Sequence, residues 1–213
     1  QCSALGGAGG AGGTGGTPGD PNEPNAPGGQ FGSSDSDAGG GGICVASGSN
    51  ATISDCILAD CNAVGGGEGS GRGGGIYYGE GYWGALTADM TACVAGSGGG
   101  IYCGPDSDLT INDCSISGGS SDYGAAIYCD SDCLLTINQC ILTDGAADYG
   151  AGIYSAIACT LAVTATEVSN NAASTDGGGI YCGPNATVTL IDCDISRNVS
   201  TGSGGGLFYG TGG

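Results

Sequence analysis

The residues with most capacity for chemistry are the thirteen cysteines, in a chain of 213 residues that has no histidine. Three pairs, Cys103–Cys114, Cys129–Cys140 and Cys182–Cys193, are each 11 residues apart, and so are Ser155 and Thr166, where both cysteines are missing together. Joint loss is what a bonded pair predicts, since unbonded thiols would be lost independently. Without a CxxC motif or a histidine, the set suits a disulfide framework better than zinc. The expectation is three disulfides, each closing a loop worth about 2–3 kcal/mol in the chain-entropy model. Cys44 and Cys56, 12 apart, form a first version of the same pair. Cys133 and Cys159 follow at equivalent positions in successive segments and suit a further bridge. Cys93 is placed with Cys56, Cys114, Cys140 and Cys193 in one recurring position. Cys2, Cys61 and Cys93 are left over, and one of these three must stay single or bond another chain.

Acid–base catalysis has little to work with. There is no lysine, and the two basic residues are Arg72, in a Gly/Ser stretch, and Arg197, in a corner. No set of carboxylates converges with either, so no catalytic residue is assigned and the chain is expected not to be an enzyme. Asp106 and Asp108 ("PDSD") and Asp130 and Asp132 ("CDSDC") recur at similar places and offer oxygens to a hard cation such as Ca²⁺, the one cofactor considered. The simpler expectation for these four carboxylates is a solvated loop. Asn50, Asn185 and Asn198 each begin an N-x-S/T sequon and are candidate glycosylation sites.

An internal repeat must position these groups. The motif GGGI and its variants places apolar anchors at Ile43, Ile76, Ile101, Ile127, Ile153, Ile180 and Leu207, spaced 33, 25, 26, 26, 27 and 27 residues. A second β-rich run follows each of the first six, as in "LTINDCSI" and "LTINQCIL". Short β-branched runs, corners of Gly, Asn and Asp, and no helical periodicity describe an all-β parallel solenoid. It would have six to seven coils of ~26 residues, stacked at about 4.8 Å each into a rod of roughly 34 Å. Residues 39–213 form this β-helix, and residues 1–38 form an extended Gly/Pro-rich arm. Within the arm, residues 5–16 read as Leu-Gly-Gly, Ala-Gly-Gly, Ala-Gly-Gly and Thr-Gly-Gly, a period of three that suits a polyproline-II-like segment laid along a solenoid wall or the aromatic ladder, on the same subunit or the next.

The GGGI/GAAI motifs and the endings "ISRN" (195–198) and "VSNN" (168–171) resemble the repeats of polymorphic outer-membrane proteins and autotransporter adhesins. The resemblance covers about residues 39–213 and implies a right-handed parallel β-helix. Such folds serve as adhesins, lyases, hydrolases and rods, so it implies no one activity.

The position after each anchor reads Cys44, Tyr77, Tyr102, Tyr128, Tyr154, Tyr181 and Phe208. If the anchor points inward, alternation turns this column outward as an aromatic ladder. Such a ladder is either a docking surface, for another chain or for sugar rings, or a half-buried stripe under the protein's own loops.

The formal charge of −19 argues against nucleic acid and anionic membranes as partners. No run is long and apolar enough for a membrane span. The start at Gln1-Cys2 and the cysteine content read as a processed, extracellular or cell-surface protein. With no capping helix and a seventh coil begun at Leu207, the leading expectation is a secreted structural subunit. It would stack head to tail into a filament, with the arm docked and glycans on the surface. The alternatives are a monomeric adhesin or carbohydrate-binding module, and thirdly a polysaccharide lyase or hydrolase.

Overall fold

A computed structural model describes residues 2–5, 40–49, 51–63 and 71–210. Among these the only regular structure is β-strand, and all the strand pairings are parallel. The anchors line up as expected. Ile43–Val45, Ile76–Tyr78, Ile101–Cys103, Ile127–Cys129, Ile153–Ser155, Ile180–Cys182 and Leu207–Tyr209 form one seven-stranded sheet, each anchor beside the next. The second runs build an eleven-stranded sheet, and Ala146–Tyr149, Ala172–Asp176 and Val199–Ser200 form a third sheet of three strands.

Period-two alternation explains the packing. In Leu134–Asn138 the side chains of Leu135 and Ile137 are buried, whereas Leu134 is exposed and Thr136 and Asn138 are half-buried. Parallel register then stacks like on like. Leu86, Ile111, Ile137 and Val163 form one buried column, and Met90, Ile116, Leu142 and Val168 another. The walls enclose one apolar core running through the coils, and Ala125, Ala147, Ala151 and Ala173 fill a narrow second one.

The first glycine of each GGGI motif is required by geometry. Gly98 has φ +65°, and a Cβ there would lie 2.3 Å from the Ile101 carbonyl oxygen. Its equivalents Gly73, Gly124, Gly150, Gly177 and Gly204 share that left-handed backbone. Other corners use a different residue for the same conformation. Asp106, Asp113, Asp132, Asp144, Asn170, Asn185 and Asp192 all have φ between 51° and 59°, a region that Asp and Asn tolerate better than most side chains. Much of the acidity read from composition is therefore corner chemistry.

The long first interval has a local origin. Asn62 bridges to Val94 and Arg72 to Ser97, so the extra length falls between Ala63 and Gly71. At the N-terminus, the backbone of Cys2–Leu5 pairs with Ile53–Ala59 of the same chain, with Cys2 beside Cys56. The remaining glycine triplets, the connector to the first coil and Asn50 lie outside the described residues.

Candidate functional site: a buried cysteine cluster beside a tyrosine ladder

Two columns of the solenoid meet in a cluster of thiols. Strand register places Cys103 directly beside Cys129 on the seven-stranded sheet. The corner that follows carries Cys133 and Cys159 in successive coils, one residue before Leu134 and Thr160, which are register partners. The sulfurs of Cys103, Cys129 and Cys133 all lie within 4.8 Å of one another. The Cys159 thiol reaches Cys129 and Cys133. All four residues are buried. Hydrogen bonds from the Cys129 and Cys133 thiols hold the Cys103 thiol well below its ordinary value, and Cys129, as the donor, is held well above it. Neighbouring members of the column are polar too. Ser155 sits in register beside Cys129, and its buried hydroxyl has no hydrogen-bond partner. Tyr78 sits beside Cys103, and its buried hydroxyl is likewise unpartnered.

This arrangement corrects the disulfide pattern read from spacing. No disulfide joins the described cysteines. In each 11-residue pair, one member lies on the seven-stranded sheet and the other at a corner of the eleven-stranded sheet, so each sulfur finds neighbours along its own column. Cys103 meets Cys129 and Cys133, Cys114 donates to Cys140, Cys182 faces Cys159, and the Cys193 thiol donates to the Val163 carbonyl. Cys44, itself exposed, sits beside Tyr77 in the tyrosine column, while Cys56 registers with Ala88, so these two do not pair. Of the proposed partners, Cys133 and Cys159 do come together. Cys93 does not belong with Cys114. Met90 registers with Ile116, which puts Ala88 in that column and sets Cys93 against Cys61.

The aromatic ladder is formed. Tyr77, Tyr102, Tyr128, Tyr154, Tyr181 and Phe208 stack with ring centroids 5.2, 5.0, 5.2, 4.8 and 5.0 Å apart, and the tyrosine rings lie within 8° of parallel. It is not an open docking stripe. Tyr102 is 1% exposed, and Tyr77, Tyr128, Tyr154, Tyr181 and Phe208 are half-buried. Tyr123 and Tyr149 form a second stack that meets Tyr128, Tyr154 and Tyr181 edge-on. The Arg72 guanidinium carbon lies 5.2 Å from the Tyr102 ring centre. A sugar stacks on a free ring face, and within the ladder each face already meets the next ring. Burial raises the ionisation of Tyr102, Tyr128 and Tyr154, the last to about 12.

The acidic corners do not assemble into a cation site. Backbone pairing sets Asp106 against the Asp132 turn, Asp108 beside Leu134, and Asp130 over Gly104. Asp130 accepts a hydrogen bond from the Tyr102 hydroxyl and another from the Ser131 amide. Among the described residues the one group suited to metal ligation is the cysteine cluster, so Ca²⁺ at Asp106, Asp108, Asp130 and Asp132 is not supported. A shallow groove lined by Asp55, Cys56, Ile57, Thr87, Ala88, Asp89 and Asp113 contains no basic residue.

The sequons separate. Asn185 is exposed at a left-handed corner. Asn198 is used internally: its amide nitrogen donates to the Val168 carbonyl at 2.6 Å, and its oxygen accepts from the Asn171 backbone and side chain, each at 3.0 Å. Asn171 also donates to the Leu142 carbonyl, and its oxygen accepts from the Gly145 amide. The last residues of "VSNN" and "ISRN" are thus rungs of an asparagine ladder, and the side-chain amide of the Asn198 sequon is engaged within the fold.

Three features escaped the sequence reading: the four-sulfur cluster, the Tyr123–Tyr149 stack and the Asn171–Asn198 ladder. Each was signalled by a recurrence interval of 26 or 27 residues.

Parallel coils, inward anchors and stacked Asn, Tyr and Cys columns define a β-helix. The family model of the right-handed β-helix region matches residues 99–210, more than half of the chain. The protein belongs to that family. No curated protein and no solved structure matches the chain. No helix among the described residues is long and apolar enough to cross a membrane.

Proposed function

We propose that this β-helix is a secreted, non-enzymatic structural subunit that stacks head to tail into an extracellular filament. The observation that supports it most is that Leu207 and Tyr209 are accessible although they continue buried columns. Leu207 and Tyr209 are 40% and 50% exposed, whereas their register partners Ile180 and Cys182 are fully buried. A second copy presenting its own coil in register would cover them and pair the open strand edges. The non-enzymatic reading rests on the lack of His and Lys in the sequence. Glycans at exposed corners such as Asn185 would solubilise the sides of the rod, and the N-terminal arm would brace the junction between copies.

Electron microscopy of the concentrated protein tests this directly. Fibres that disappear on Leu207→Lys and Tyr209→Lys substitution are expected. Monodisperse particles at every concentration would refute stacking, and would mean that the same face is covered within one molecule.

A further inference from the structure

We propose that Cys103, Cys129, Cys133 and Cys159 form a buried site for one thiophilic d10 cation, zinc(II) in the first instance, at the heart of the solenoid. Sulfur-only ligation excludes hard cations such as calcium and magnesium and selects zinc(II) or copper(I). Four thiolates around zinc at about 2.3 Å stand roughly 3.8 Å from each other. Three of the sulfurs already lie within 4.8 Å of one another, and the fourth, on Cys159, touches two of these. Closing the tetrahedron therefore needs only small side-chain adjustments.

Two further observations point to a ligand. The outer sulfurs are crowded, with Cys133 Sγ 2.9 Å from the Gly104 carbonyl oxygen and Cys159 Sγ 2.7 Å from that of Asp130. Drawing both toward a common centre relieves contacts that are short for an atom of sulfur's size. The buried side-chain polar atoms left without a partner among the described residues are the hydroxyls of Ser155 and Tyr78. These flank the cluster along one column, beside Cys129 and Cys103. A neutral thiol is a weak acceptor, whereas a metal-bound thiolate is a strong one, so the Ser155 hydroxyl, which faces the Cys159 thiol, gains a strong acceptor when the site is filled. Binding expels up to four thiol protons to solvent and involves no redox step. Because the cluster is enclosed, the ion must enter before the coils close, which couples loading to folding.

The chain refolded under reducing conditions with cobalt(II) as the probe tests this. About one cobalt per chain is expected, with tetrahedral d–d bands and sulfur-to-cobalt charge transfer, displaced by zinc(II). Cys133→Ser and Cys159→Ser should abolish the charge-transfer bands, and Cys114→Ser, in the neighbouring column, should leave them intact. Ser155→Ala removes no ligand and should weaken binding about tenfold, a readout that survives if the cysteine variants misfold. A folded, reduced chain that takes up no cobalt or zinc overturns the proposal, as does binding unchanged in Cys133→Ser. Peptide mapping of protein isolated without reductant that finds Cys103–Cys129 or Cys133–Cys159 disulfides also overturns it.

Discussion

Burial sets how Cys93, Cys182 and Tyr154 ionise. Burial pushes the Cys93 and Cys182 thiols from an ordinary value of 9.0 up to about 12, and the Tyr154 phenol from 10.0 to about 12. These groups are neutral when protonated, so the folded state keeps its protons to higher pH than the unfolded chain does. Their contribution to stability is complete below about pH 9 and is lost as pH rises through the folded values near 12. The melting temperature should hold from neutrality to that lower bound and then fall steeply, with the tyrosinates of Tyr102, Tyr128 and Tyr154 appearing in one cooperative step with unfolding. Gradual ionisation of the ladder around pH 10 in a chain that keeps its β-sheet circular dichroism would contradict this. The asparagines make a similar contrast. In a glycosylating host, Asn185→Gln should remove a glycan mass shift, and Asn198→Gln should not, since the Asn198 amide already serves Val168.

Among the coils, the anchor column carries most of the cohesion and is the part most legible in the sequence. Ile127 is fully buried between Ile101 and Ile153, so Ile127→Ala should cost about 2–5 kcal/mol. Leu207→Ala, at the exposed end of the same column, should cost clearly less by denaturant unfolding. Equal losses would mean that the end coil is covered like the middle ones. The strict spacing of the GGGI motifs made these seven rungs readable, because the left-handed glycine and the buried isoleucine that follows leave few other solutions. The second sheet was less legible. Cys93 lies 17 residues after its anchor, whereas Cys56, Cys114, Cys140 and Cys193 lie 13 after theirs, and the long strand Trp83–Thr91 absorbs the difference. Spacing along one coil also hides contacts between coils. Cys103 and Cys114 look paired because they are near in sequence, yet parallel register gives each sulfur its neighbours one coil away. The aromatic column was legible as a ladder, and of the two readings left open for it the half-buried stripe is the one found, because Tyr123, Tyr149 and Arg72 reach it from elsewhere in the coil.

Taken as a rod, the molecule has weak local corrections to a strong global charge. With a formal charge of −19, copies approaching end to end repel one another, and salt shortens the reach of that repulsion to about 10 Å at 0.1 M. Under the stacking proposed above, fibre length measured by electron microscopy should therefore increase from low to moderate sodium chloride at neutral pH. Shortening with added salt would indicate a junction held by opposite charges and not by stacked apolar rungs.

The two arginines carry a consequence for durability. A trypsin-like protease can cut only after these residues, and it needs the cleaved segment extended in its cleft. Arg197 is held at φ 54°. Arg72 gives its carbonyl to the Gly40 amide and lays its guanidinium over Tyr102. Cleavage must then wait for a coil to open, so the folded chain should pass through prolonged trypsin treatment at full length on a denaturing gel, while the unfolded chain falls into three pieces. With no lysine and both arginines locked into rungs, the folded rod offers a trypsin-like enzyme no ready cut site.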